Sequence, residues 1–529
     1  MRLPRLVLFV GLLIAFAGFA AINPQILGLF HDDGIYAVAA KALAGGDGYR
    51  IISLPGDPAQ TKYPFIYPML LSLMWRISPP FPGNIIFLKS LNVVILLAIY
   101  LISFVYYRRG RDRDEVFAPL LFAAIVCTNP LVFSFTDYVL SELLLVLLSV
   151  AMLAACRHDN GDSKVYGTIV IGVIAGMACL TRMAALPLAL AGFLHACLNR
   201  GVRGGAWFLG IFAAMVASWF LWVAGANDPL VRGSLFDYYL GYDLTGGRGG
   251  GLVGFFDVVV GNARYLAQSF QMLYLTSLVP GLVVLLAGIT VVGMISLRWR
   301  KDAATWSFLV FSLVALLCWP FQPSRYCLPL VPVMVLFLYR GVERAARWVR
   351  QIDLSASLNF ILGKLVWAPI VVVLGLNLFW LSSFVWSRHP DSTRGLYGSR
   401  APYTWAGFEQ TFAWVRENTK PDELLASAYD PMYFLYTGRK AIRPALHRPA
   451  TYFYPYGAAR PDVGSAAAIK PELVELGAKF LIVDPMDGYA ERLATLRLMD
   501  DIVTAYGDQA QLVFTSSDGL HKVFRLSAR

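Results

Sequence analysis

PFIYPMLLSLMWRIS, residues 64–78, is apolar but short for a membrane crossing. Pro64 and Pro68 stand at its start, and Pro79 follows its end. Whether it crosses decides the topology of everything after it. If it crosses, the basic run RRGRDR (108–113) lies outside. If it only grazes the bilayer, as a juxtamembrane or re-entrant helix, that run falls inside, where basic residues of short loops belong. We adopt the second reading.

The rest of the chain agrees. Its 529 residues are 57% hydrophobic and 15% charged, and the mean hydropathy is +0.58. Soluble domains average about 25% charged residues, so this is a membrane protein. With Arg2 and Arg5 inside, about 11 spans follow, and NRGVRGG, RWRKD and RGVERAARWVRQ then lie on one side. Residues 5–22 are read as an uncleaved first helix rather than a signal peptide, although AGFAA is a small-residue sequence. The net charge of +11 sits mostly in short loops and sets topology, which excludes nucleic acid as a partner. The six cysteines lie in or beside spans without metal-ligand spacing. After residue 387 the texture becomes that of a globular domain. The expected architecture is a polytopic α-helical membrane domain (1–387) and a small α/β domain (388–529). In that domain helices are expected over 403–418 and 489–507, a helix, a Gly stop and a buried strand over PELVELGAKFLIVDP (471–485), and strands at 423–429, QLVFTSS and HKVFRLS.

This topology gathers charge at one face. The first outer loop opens with Asp32 and Asp33 and closes with Lys62 in TKYPFIYP. Asp137 and Glu142 come from FTDYVLSE, Arg182 from a span end, and Arg325 from PFQPSRY. Ionisable groups at membrane depth are costly, so such a set is a candidate functional site. The outer loop 225–271 contains GGRGGG, which reads equally as a mobile lid or a plain connector. Moving a sugar from a lipid phosphate to a hydroxyl needs a carboxylate to take the acceptor's proton and cations to hold the departing phosphate.

These motifs resemble those of the GT-C glycosyltransferases, in the branch that includes protein mannosyltransferases and the lipid A aminoarabinose transferase. Asp32-Asp33-x-x-Tyr36-Ala37 is similar to the family's acidic pair. Lys62-Tyr63-Pro64 with Tyr67-Pro68 matches the motif closing that loop. Thr136-Asp137 with Ser141-Glu142 matches the second acidic motif. Leu180-Thr181-Arg182 and Arg325-Tyr326 with Pro329 and Pro332 match late elements. The second acid is Asp where Glu is commoner, and Lys-Tyr-Pro stands where many relatives have Lys-Pro-Pro.

The resemblance implies a GT-C fold in the inner (plasma) membrane, N-terminus cytoplasmic and C-terminal domain extracytoplasmic. It implies a polyprenyl-phosphate sugar donor, a glycan, lipid or protein acceptor, and inversion at the sugar. Asp32 or Asp33 would be the base. Lys62, Arg182 and Arg325 would hold the phosphate. Tyr36, Tyr63, Tyr67 and Tyr326 would line the substrate. No cofactor is certain. A divalent metal ion is possible, with His31 a candidate ligand, although a lone His is more often structural.

Plainer readings compete. One of Asp32 and Asp33 suits the cap of the helix that follows. Lys62 could snorkel, Asp137 and Glu142 could cap the next span, and Arg182 and Arg325 could be interfacial anchors. The rival functions are a transporter or flippase, for which no internal repeat is seen, and a non-enzymatic assembly subunit.

Overall fold

The computed structural model describes residues 3–77, 80–109, 115–159, 165–226, 234–240, 251–275, 280–298, 302–319, 325–352, 355–388, 405–446, 464–485 and 490–527. The chain is mostly helical, with a small sheet near its C-terminus. Among the described residues four helical stretches are long and apolar enough to cross a membrane, and a pair bent by 54° makes a fifth if counted as one. Shorter apolar helices accompany them. Phe16, Val284, Ile295 and Trp386 are among the large apolar side chains left on the outside, as expected of a surface that meets lipid.

In chain order the helices are α1 (Leu3–Ala20), α2 (Asp32–Gly45), α3 (Ile66–Ile77), α4 (Ile85–Arg108), α5 (Phe117–Thr128), α6 (Pro130–Phe133), α7 (Glu142–His158) and α8 (Tyr166–Thr181). Then come α9 (Leu186–Gly225), α10 (Asp237–Leu240), α11 (Gly251–Leu273), α12 (Pro280–Ser296), α13 (Ala303–Leu317), α14 (Val331–Gln351), α15 (Ala356–Leu365) and α16 (Ala368–Arg388). Of this stretch the described residues 64–77 hold the 12-residue α3, which packs beside α2. At about 1.5 Å per residue, α3 falls short of roughly 30 Å of hydrocarbon. Helix α9 is broken at Gly201 (φ 61°, ψ −157°), within NRGVRGG.

One expectation is corrected. Residues 251–271 were read as outer loop, yet they form most of α11. Val258, Val259, Asn262, Leu266, Ser269 and Leu273 turn inward at helical spacing. The neighbouring glycines and Asp257 obscure that period in the sequence. The GGRGGG run falls largely in 241–250, outside the described residues.

Helices α12 and α14 meet backbone to backbone. A Cβ on Gly341 would lie 2.0 Å from the Ile289 carbonyl oxygen, and one on Gly293 1.7 Å from that of Phe337. In lipid, where no hydrophobic force drives helices together, such small-residue contact is a main source of packing. Gly341→Ala is therefore expected to force the pair apart and to cost about 1–3 kcal/mol or more. Thermal unfolding of the detergent-solubilised protein measures it; an unchanged midpoint would contradict the contact.

The C-terminal part contains α17 (Trp405–Asn418), β1 (Leu424–Ser427), α18 (Asp430–Thr437), β2 (Ala441–Ile442), α19 (Ala466–Glu475), β3 (Ala478–Val483), α20 (Ala490–Tyr506), β4 (Ala510–Thr515) and β5 (Lys522–Leu526). The sheet order is β2-β1-β3-β5-β4. The first three strands are parallel, and β5 runs antiparallel to β3 and β4. Helix α18 and strand β2 were not expected from the sequence. The sheet also organises the membrane part. Ile26 and Leu29, from the loop after α1, are buried in the same apolar cluster as Phe408, Phe412, Tyr433 and Val523.

Candidate active site

The loop between α1 and α2 is held from three directions. Asn23 starts it as an Asx turn, its Oδ1 accepting from the backbone of Gln25 (2.9 Å) and Ile26 (3.1 Å). The Asn23 amide donates to Asp137 Oδ1 (2.7 Å), and its carbonyl accepts from Lys89 Nζ (2.8 Å). Tyr436 of α18 reaches the middle of the loop, where its hydroxyl accepts from the Leu27 amide and donates to the Gln25 carbonyl. His31 takes a positive φ of 63° and pairs with Asp430 at 2.8 Å. Gly34 lies flat against α18: a Cβ there would come 2.8 Å from Pro431 Cβ.

The two acids that begin α2 then part. Asp33 accepts from the amides of Gly28 (2.9 Å), Phe30 (3.0 Å) and Gly34 (2.9 Å), so it ties the loop to the helix start. Burial pushes its carboxyl up, against the pull of those donors. Asp32 points the other way. Its Oδ2 accepts from Arg325 Nη2 at 2.7 Å and its Oδ1 from the Tyr63 hydroxyl at 2.6 Å. Burial pushes Asp32 up as well, but the Arg325 guanidinium, the Lys62 ammonium and the Tyr63 hydroxyl prevail and hold it well below the usual carboxylate range.

Arg325 connects Asp32 to a second acid. Its Nη1 lies 3.8 Å from Glu142 Oε1, which Arg182 Nη1 approaches to 2.8 Å. Arg182 also donates to Ser141 Oγ (3.2 Å), which is hydrogen-bonded to the Tyr36 hydroxyl (2.9 Å). The Tyr326 ring lies 5.3 Å from the Arg182 guanidinium and 5.5 Å from that of Arg325. Tyr36 packs against Tyr63 and Tyr67, and Tyr67 donates to Asn92. Glu142, Arg182, Arg325 and Tyr326 form the polar end of a cavity of about 290 Å³. Its remaining wall is mostly apolar, with Leu145, Leu186, Leu190, Phe308, Phe311 and Leu330. A long apolar chain with an anionic head fits such a shape: tail on the leucines and phenylalanines, head at the arginines.

No protein-family model and no curated protein sequence matches the chain. Solved structures do. ArnT from Cupriavidus metallidurans, bound to undecaprenyl phosphate, superposes with a TM-score of 0.62 at 12% identity, over 100% of this chain and 99% of that one. The apo oligosaccharyltransferase from Archaeoglobus fulgidus gives 0.56 at 12% identity, over 98% of this chain and 74% of that one. AglB from the same organism, with an inhibitory peptide and a dolichol-phosphate, gives 0.53 at 12% identity, over 100% and 75%. The chain has the GT-C fold.

Within this GT-C fold the residues singled out in the sequence separate into groups. Asp32, Tyr63 and Arg325 form one constellation, joined to Glu142, Arg182, Tyr36 and Tyr326. Lys62 is close enough to act on Asp32, but its Nζ donates to the Tyr238 carbonyl (2.6 Å) and lies 3.6 Å from the Tyr238 ring centre. Asp137 faces away from this group. It is fully buried against Lys89 Nζ (2.8 Å) and Arg388 Nε (3.4 Å). Sequence reasoning passed over Lys89 and Arg388. The signal for Lys89 was present, a cation one turn into an apolar span. Asp430 and Tyr238 carry no local signal, because only the tertiary fold brings them to His31 and Lys62. Among the described residues no three His, Cys, Asp or Glu side chains gather as metal ligands. Asp32 and Glu142 each lie against an arginine.

Proposed function

We propose that the chain is a membrane glycosyltransferase that moves a monosaccharide from a polyprenyl-phosphate carrier to an acceptor hydroxyl. The observation that carries this reading is Arg325, which pairs with Asp32 and, with Arg182, forms the polar end of an apolar cavity. The structural neighbours ArnT and AglB were solved with undecaprenyl phosphate and dolichol-phosphate, which supports the same lipid class here.

In this reading the carrier's tail lies in the cavity and its phosphate meets Arg325 and Arg182, with Lys62 behind. Asp32 takes the proton of the acceptor hydroxyl. The acceptor oxygen bonds to the anomeric carbon as the bond from that carbon to the phosphate oxygen breaks, which inverts the sugar. The diester phosphate leaves as polyprenyl phosphate with one more negative charge. The arginines therefore hold the departing group more strongly than the bound donor, as catalysis requires. Asp33 shapes the loop. A topology of about 11 spans with the N-terminus inside would put this site on the outer face of the inner membrane. Residues 1–387 form the catalytic domain, and residues 388–529 form an extracytoplasmic domain that seats its loop. The acceptor is a glycan, lipid or protein.

A transporter or flippase is the rival. Electron cryomicroscopy of the protein with polyprenyl phosphate separates the two. Density with the phosphate beside Arg182 and Arg325 and the tail in the cavity is expected. A continuous path open to both sides of the membrane would favour the rival.

A further inference from the structure

Asp32 as it stands is a poor base. Both of its oxygens already accept from close donors, and the residue is only 6% exposed. A carboxylate so satisfied has little affinity for a hydroxyl proton, so one donor must leave before it can act. The two donors are not equally free. Tyr63 is buried, its ring packed 5.1 Å from that of Tyr36. The Arg325 side chain is 36% exposed, lines the cavity, and has the carboxylate of Glu142 within 3.8 Å of its other nitrogen. Arg182 already fixes Glu142 at 2.8 Å. An anion entering from the cavity thus meets one guanidinium engaged with Glu142 and one engaged with Asp32.

We propose that Arg325 is exchanged between Asp32 and the donor phosphate, so that the base is unmasked only when donor is bound. The proposal rests on the reading that the arginine pair receives a lipid phosphate. The phosphate draws the guanidinium toward itself and away from Asp32 Oδ2. The freed oxygen then faces the place where the acceptor hydroxyl arrives. Lys62 and Tyr63 remain near Asp32 and keep it ionised. The empty enzyme keeps its base quenched, and binding of one substrate readies the enzyme for the second. Asp32 and the lipid phosphate become competitors for one cation, and by linkage each weakens the other's hold on it.

The competition has a consequence opposite to that of an ordinary binding residue: removing the charge of Asp32 tightens lipid binding. The test uses the full chain in nanodiscs, with undecaprenyl phosphate as the probe and binding followed by native mass spectrometry. Asp32→Asn is expected to bind on the order of tenfold more tightly than wild type. Asp32→Ser is expected to do the same and serves if the first variant is not monodisperse. Tyr63→Phe, which leaves the Asp32–Arg325 pair intact, is expected not to tighten binding. If wild type binds and the Asp32 variants bind equally or more weakly, the exchange is overturned while the transferase reading stands. Equal tightening by Tyr63→Phe would also overturn it. If none of the proteins binds the lipid, the reading beneath it fails as well.

Discussion

Purified protein carrying Asp32→Asn is expected to keep its fold and to lose transfer by about 10²- to 10⁴-fold, the usual contribution of a general base. The amide has the shape of the carboxylate and can still accept from Arg325 or Tyr63, so the α2 start should survive. It cannot accept the hydroxyl proton. Asp33→Asn should behave differently. Its carboxylate accepts from three backbone amides at 2.9–3.0 Å, and an asparagine has only one oxygen to offer them. Leaving a buried donor unmet costs about 1–3 kcal/mol. The Asp33 variant should therefore fail first in thermal stability, with activity lost in proportion to misfolded protein. Measuring both rates and both unfolding midpoints separates the base from the loop-former. Transfer at the wild-type rate by Asp32→Asn would remove Asp32 from the mechanism.

The second large effect concerns Asp137, and it is one of stability. Asp137 has no exposed surface, and the side chains around it are nearly as buried, Lys89 at 1% and Arg388 at 4% exposed. The group ties three distant pieces together: Lys89 from α4, Arg388 from the end of α16, and Asn23 from the loop that leads to Asp32. Asp137→Ala leaves two buried cations without their shared anion. Breaking a buried pair from one side costs about 3–5 kcal/mol. Asp137→Asn keeps an acceptor for the Asn23 amide and should recover part of that. Denaturant titration of the solubilised variants measures the cost. A loss below about 1 kcal/mol for Asp137→Ala, the range of an exposed pair, would show that these cations find other partners.

The sequence and the structure agree where a local period or a local charge carries the information. In the short, proline-bounded stretch, the described residues 64–77 form a 12-residue helix. Gly477 (φ 72°) separates a helix from a buried strand in PELVELGAKFLIVDP. Asp32, Glu142, Arg182 and Arg325 could be gathered from four separate segments because positive residues in short loops set the sidedness of each. What failed was what has no local signature. The period of α11 is masked by its glycines and Asp257. Asp137 and Glu142 are five residues apart, and a short 3₁₀ turn at Ser134–Asp137 followed by the start of α7 sends them to different partners. No spacing rule separates them. The seat that α18 provides for the Asp32 loop involves His31 and Asp430, 399 residues apart. Which of two adjacent acids meets Arg325 was likewise a matter of tertiary donors: three amides for one, Arg325 and Tyr63 for the other.

In the proposed reaction this constellation transfers a sugar from a lipid phosphate. Its most direct test is a panel of polyprenyl-phosphate monosaccharides offered to the purified protein in nanodiscs, with a mixture of candidate acceptors, while released polyprenyl phosphate is quantified. Release from at least one donor is expected, dependent on acceptor and abolished by Asp32→Asn. Release that persists undiminished in Asp32→Asn, or no release from any donor by protein that binds the lipid, would contradict it.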